Sequence, residues 1–572
     1  MSARTRELQD RQISRSTVCL FLFLFLILLL GSTQTHWLTL HGRLSDPGEV
    51  LGRLVGVIAI GGLATLMIER WLLTRLQWLR QCFVSDIKRE ILLGSALIMM
   101  AGTCISPERM EITLAMVLVY WMRGLYPGPD FEAGDRGPVS LALANRVVTW
   151  AIFLTAICIV YLRAPELFHT PRFWAEDGRF SFVHFYSHRE WYELLTPWEY
   201  YRLVHNVTAY FTVRIFSLED APLGFALASG LITLVPVGIV VFGRSPYWDS
   251  LFKKTLCVAL YFLVPFSAET WLNLNGTAYI LSFASVLILL SESIGRARIP
   301  YRIVILLAGL TGVLSCLLAP LFGVRAWKSG LQEHRIQFLL LVGCAVIQLA
   351  VVFYTNVIHQ DGTHMRVTPP SAQTIVLVGW LRTLATIISI EWAAYLRGLF
   401  GSAIATPALY HQYALFFGLL WVAVLGFFAK YVPEIESKLL ITYFVILTVF
   451  SIYFGIGAGG NLGFIHLTNG MRYFYIPSVI LSMILLLPLL RPKSGRRHRL
   501  IRYVCSVLAC LILQNGIKAY GHINVFEPDW PRWRLEVAKW RVDPDYKLKI
   551  WPRKWRIALP PKGLDQDSTQ GT

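Results

Sequence analysis

Apolar residues in this chain come in long blocks, and polar residues collect between them. The block from Thr17 to Gly31 includes VCLFLFLFLILLLG, and the stretch after Arg472 runs YFYIPSVILSMILLLPLL from Tyr473 to Leu490. Runs of about 18 or more apolar residues have the length of a membrane-spanning helix. Lipid offers no partner to backbone N–H and C=O groups, so blocks repeated in this way predict a helical bundle. Spans are expected at 17–38, 51–69, 91–106, 110–126, 146–162, 223–243, 255–270, 277–293, 336–354, 411–429, 439–457, 472–490 and 500–517. Residues 303–324 lie between two basic clusters and read as a re-entrant segment or short hairpin. Residues 373–400 are apolar but carry Arg382, Glu391 and Arg397, so they read as interface helices or one extra hairpin. The expected fold class is an all-α polytopic membrane protein with about 13 transmembrane helices.

Composition agrees with the pattern. The 572 residues are 55% hydrophobic and 15% charged, whereas a soluble domain is nearer about 25% charged. The first block follows Arg4, Arg6, Arg11 and Arg15, which resemble the basic start of a secretory signal. No clean small-x-small cleavage site follows, so an uncleaved signal anchor is expected. None of the nine cysteines has CxxC spacing, and most lie in apolar segments. They read as small core residues, with neither a disulfide framework nor a metal site.

The net charge of +18 would suggest nucleic acid in a soluble protein. Here it lies between apolar blocks, where the positive-inside rule explains it. Basic clusters at the N-terminus, 70–89, 244–254, 296–302, 325–335 and 491–499 mark the cytoplasmic side. The N-terminus is then inside, the C-terminus outside, and a nucleic-acid partner is excluded. The outer side owns a large loop at 163–222 after the fifth span, with eight acidic residues against six Arg. It also owns a turn near 269–277, a loop at 355–372, a loop at 458–471 and a Trp-rich tail. The Pro/Gly-rich segment 127–145 separates a four-span module, 1–145, from a core at 146–517 and an outer tail at 518–572.

The densest chemistry lies in PRFWAEDGRF, residues 171–180. Glu176 and Asp177 stand among Phe173, Trp174 and Phe180, with Gly178 permitting a tight turn or a close approach of substrate. Burial beside rings and a neighbouring carboxylate both raise a carboxyl pKa, which suits a general base near neutral pH. The same pattern also describes an acidic surface turn. Glu269 and Asn273 fall at a span end, where polar groups are costly unless they face a cavity or partner. His359, Asp361 and His364, in HQDGTHMR, could hold a divalent cation, bind sugar or phosphate, or form a solvated loop. Arg202 and His205 stand at the end of PWEYYR and just after it, among aromatic faces that stack on sugars or mark an interface. Arg472 enters a span at the depth of lipid phosphate, with Tyr473 beside it. It could meet a phosphate or simply anchor the helix.

In the tail, Trp530, Trp533, Trp540, Trp551 and Trp555 alternate with Arg and Lys. Trp533, Val537 and Trp540 share one helical face, as in an amphipathic segment lying on the outer leaflet or a cap over an acceptor groove. NVT at 206–208 and NGT at 275–277 are outward-facing glycosylation triplets of a kind common by chance.

With WAEDG at 174–178 directly after the first span of its core, ETWLNLNGTAY at 269–279 and MRYFYIPS at 471–478, the chain resembles the GT-C superfamily of polytopic glycosyltransferases. It is similar in particular to the WAEDG-bearing bacterial membrane proteins of that superfamily. The resemblance covers about 146–560 and leaves 1–145 without a role. It implies a polyprenyl-phosphate-linked sugar donor, an extracytoplasmic glycan or lipid-linked acceptor, inverting displacement, and a place in polysaccharide biosynthesis at the bacterial inner membrane. Asp177 would be the base with Glu176 as neighbour or alternative, and Arg472 would stabilise the departing phosphate. No cofactor beyond a possible divalent cation is implied. A flippase or other transporter would show intramembrane charges and repeat symmetry. A polymerase or ligase of lipid-linked saccharides would rely on outer Arg pairs. A structural subunit is the third alternative.

Overall fold

The structure is a computed structural model that describes residues 138–560 except 294, 356–369, 405, 432–433, 456–465, 492–495 and 521–530. The first four expected spans, His359, Asp361, His364 and Trp530 lie outside the described residues. The chain divides into two compact units, Met1–Ala151 and Ile152–Thr572, and the geometry below belongs to the second.

The described chain is almost entirely helical, with one two-stranded pairing of Leu548–Lys549 and Arg556–Ile557. Five of its helices are long and apolar enough to cross a membrane: Leu218–Phe242, Gln332–Phe353, Pro407–Tyr431, Ile435–Tyr453 and Leu500–Tyr520. A sixth span is added if the bent pair Arg298–Thr311 and Val313–Ser329 counts as one. These helices are compatible with an integral membrane protein. The Pro407–Tyr431 helix exposes Leu415, Phe416, Leu419 and Val422, a continuous apolar face suited to hydrocarbon. Leu274–Leu289 and Met471–Leu485 are buried almost throughout. Tyr261 is stacked on Phe283 at 5.6 Å and accepts, through its carbonyl, a 2.7 Å bond from the Tyr475 hydroxyl. Those contacts join three helices at the centre of the unit.

The structure differs from the expected span at 255–270, and it gives form to the two segments not expected as simple spans. The segment expected at 255–270 is helical only over Leu251–Phe262. Pro265 supplies no N–H and restricts Val264, so the helix cannot continue. The chain then turns, with Phe266 and Leu272 at φ 55 and 51, until Asn273 caps the next helix by accepting from the Gly276 N–H at 2.8 Å. The segment 303–324 bends by 118° at Gly312, where a Cβ would lie 2.9 Å from that of Ala278. The segment 373–400 forms two helical pieces, Ala372–Ile388 and Ile390–Ile404, divided at Ser389.

The tail corrects a further expectation. Trp533, Val537 and Trp540 do share one face of the Trp533–Val542 helix, but that face is buried against protein rather than laid on a leaflet. Trp533 stands edge-on to Phe173 at 5.0 Å and donates from Nε1 to the Leu218 carbonyl at 2.7 Å. Buried Glu536 accepts from Tyr546 Oη, Lys549 N and Lys539 Nζ, which ties the strand pair to the helix.

Candidate functional site

Phe173 fixes the segment carrying the acidic pair. Its ring stacks on Phe182 at 4.4 Å and meets Phe225 edge-on at 5.0 Å. The tail pairs with its backbone: Ala175 N–H donates to the Trp551 carbonyl at 2.5 Å, and Trp551 N–H to the Phe173 carbonyl at 3.1 Å. Asp177 then opens a π-helical turn, Asp177–Phe182, a wide turn often found at functional sites. Gly178 serves packing. A Cβ there would lie 2.8 Å from Phe173 Cβ and 3.0 Å from Ile550 Cδ1, so it is the tail and Phe173, not a ligand, that press on it.

Asp177 is 1% exposed. Its Oδ2 accepts from the Leu274 N–H at 2.8 Å, at the positive end of a buried helix. Its Oδ1 faces His205 Nε2 at 4.0 Å and makes no hydrogen bond. Burial pushes the Asp177 carboxyl up to about 7, helped by the charge of Glu176 and opposed by the Leu274 N–H and Arg202. His205 is equally buried, and burial with the charge of Arg202 pushes it down to about 3. A neutral imidazole thus faces a carboxyl poised to exchange a proton near neutrality.

Glu176 connects the pair to distant parts of the chain. Its Oε2 accepts from Asn275 Nδ2 at 2.9 Å, and its Oε1 lies 3.4 Å from both terminal nitrogens of Arg472. The Arg472 N–H points to Glu269 Oε2 at 3.4 Å, and burial raises the Glu269 carboxyl pKa. Asn273 donates to the Glu269 carbonyl at 2.8 Å. Arg472 stands over the Tyr473 ring at 5.3 Å, and Tyr473 meets Tyr279 edge-on at 6.0 Å. Arg202 reaches Glu199 at 3.6 Å and the Tyr200 ring at 4.6 Å. Its charge bears on Asp177 and His205. Glu176, Asp177, His205, Glu269, Asn273, Arg472 and Tyr473 therefore come together, with Arg202 on their border.

Sequence reasoning missed two contributors. Arg382 is 2% exposed and donates to the carbonyls of His466 and Asn469 at 2.9 and 2.8 Å. It holds the turn that leads into Arg472. Its signal was a charge inside an apolar segment. Asn275 was noticed only as a glycosylation triplet, yet its amide serves Glu176. Asn206, in the other triplet, is fully buried and bonded to the Leu194 and Thr196 carbonyls, so it cannot accept a glycan in this fold.

A cavity of about 20 Å³ beside Asp177 is lined by Arg172, Trp174, Trp271 and Asn273. It has room for about one water molecule, and a sugar ring enters only if the site opens. Among the described residues, no group of three or more His, Cys, Asp or Glu could hold a metal ion.

Together these features define a helical protein of membrane-compatible build, with a buried carboxyl beside a carboxylate–arginine pair. Compared with models of protein families, with curated proteins and with solved structures, the chain matches none.

Proposed function

We propose that the chain is a polytopic membrane glycosyltransferase of GT-C type. It moves a sugar from a polyprenyl-phosphate donor to an extracytoplasmic glycan or lipid acceptor. About 13 spans would place the N-terminus in the cytoplasm and the site and C-terminus in the periplasm of a bacterial inner membrane. The observation that carries the proposal is the meeting of three distant stretches, 174–178, 269–279 and 471–478, around Glu176. Displacement at an anomeric carbon needs a base for the acceptor hydroxyl and a cation for the leaving phosphate. Asp177, with a pKa of about 7, meets the first need. Arg472, held by Glu176 and Glu269, meets the second once the site opens.

A transporter or flippase of lipid-linked saccharides is the second reading. It is favoured by the 118° break in an apolar helix pair and by the buried charges Arg382 and Arg325, since broken helices and buried charges recur in transporters.

The test is the surface-glycan mass profile of cells carrying wild type, a deletion, or Asp177→Asn at matched expression. Loss of one sugar in both altered strains supports the transferase, and the missing mass names the sugar class. A complete glycan with Asp177→Asn overturns the assignment and favours transport.

A further inference from the structure

Beside the π-helical turn, the tail walls off a second space. A cleft of about 480 Å³ is lined by Arg179, Lys547, Lys554 and Arg556, with Trp555 and Val183 between them. Arg179 follows the acidic pair by two residues, and the three other cations come from the tail. No acidic residue lines the cleft among the described residues.

Arg534 pairs with Asp220 at 2.6 Å and Arg541 with Glu219 at 2.5 Å. Those two cations are spent on holding the tail helix to the loop. The four around the cleft share a space that no carboxylate among the described residues lines, so an anion there would meet positive charge from several sides. The Arg556 guanidinium is anchored on the carbonyls of Arg553 and Trp555, both at 2.9 Å. Arg179 stands 5.6 Å from the Trp555 ring centre. Oriented guanidinium groups favour carboxylate or phosphate oxygens, and an indole beside them offers a flat face to a sugar ring. The volume falls in the range of small-ligand sites.

We propose that this cleft binds an anionic saccharide, a sugar segment bearing carboxylate or phosphate groups, and holds it as the acceptor on the turn that carries Asp177. That the bound saccharide is the acceptor rests on the transferase reading.

The test is calorimetric titration of the full chain in neutral phosphatidylcholine nanodiscs. The probes are trigalacturonic acid, maltotriose, and dihexanoyl phosphatidylglycerol below its micelle concentration. Trigalacturonic acid should bind, maltotriose should not, and added salt should weaken the binding. Arg556→Gln and Arg179→Gln should each weaken it about tenfold, the loss of one charge-assisted contact, and Arg556→Lys should restore part of it. No binding of trigalacturonic acid, equal binding of maltotriose, or unchanged affinity in both Gln variants overturns the proposal. So does binding of the phosphatidylglycerol alone, which would make a lipid headgroup the occupant. If the probe does not bind although Asp177→Asn abolishes the surface sugar, the cleft proposal fails and the transferase stands. If the probe binds although Asp177→Asn leaves the glycan complete, the acceptor role falls with the transferase.

Discussion

Glu176 and Arg472 are 296 positions apart in the chain, and their side chains meet at 3.4 Å. Each is 23% exposed, so the pair is worth about 1 kcal/mol or less by itself. Its consequence is positional. The helix that begins at Met471 is locked in register against the loop that carries Asp177. Arg472→Ala should therefore change thermal stability little while removing the surface sugar. Differential scanning fluorimetry beside a glycan profile checks this, and an intact glycan would count against Arg472 as the phosphate-stabilising residue.

Asp177 and His205 should pull stability in opposite directions with pH. The Asp177 carboxyl is raised to about 7, so its contribution is present at low pH and is lost as pH rises through about 7. His205 is depressed to about 3, so its contribution is present above its ordinary value and is lost as pH falls through about 3. Between about pH 4 and 6.5 the two slopes cancel in the wild type. Asp177→Asn should expose the His205 slope, with Tm rising from pH 4 to 6.5. His205→Gln should expose the Asp177 slope, with Tm falling from pH 4 to 7. Melting curves across pH measure both, and parallel curves in all three proteins would contradict the assigned protonation states.

If Asp177 is the base, sugar transfer should increase with pH through a midpoint near its pKa of about 7. Transfer to a soluble acceptor in membrane vesicles, followed from pH 5.5 to 8.5, shows this. Activity that is flat or falls over that range would move the base elsewhere.

Gly178→Ala should destabilise by about 1–3 kcal/mol, because its methyl meets Phe173 Cβ and Ile550 Cδ1. Ile550→Val removes the second obstacle only. The double variant should recover part of the loss, as a thermal double-mutant cycle would record. Strict additivity would mean the tail does not press on this turn.

The tail should depend on its aromatic face more than on its ion pairs. Trp533→Ala removes a fully buried ring from the Phe173 cluster and should cost about 3–5 kcal/mol. Arg534→Ala breaks a pair whose Arg is 69% exposed, so about 1 kcal/mol or less is at stake. Chemical unfolding followed by tryptophan emission compares the two. Equal losses would refute the ranking.

Much of this site was legible in the sequence because chemistry and hydrophobicity conflict there. Asp177 and Glu176 break an aromatic run, Glu269 and Asn273 stand at a span end, and Arg472 heads an apolar helix. What was not legible depends on backbone. Pro265 ends one helix early, and the turn that follows delivers the Leu274 N–H to Asp177. Arg382 had the same signal as Arg472, but only the fold reveals that it grips the His466 and Asn469 carbonyls. The tail read as either a lipid-facing segment or a cap because a Trp-rich amphipathic face suits an interface as well as a protein core. Periodicity identifies the face and not its partner.

The pairing of Trp551 with the Phe173–Ala175 backbone also has a meaning in time. The ribosome makes the acidic segment long before Trp551, and domains generally assemble in the order of synthesis. Asp177 therefore waits in an unfinished pocket until Trp551 has been made, and a chain cut short before that residue lacks the pairing that backs the pocket. The setting of the acidic pair thus reports that synthesis has passed Trp551.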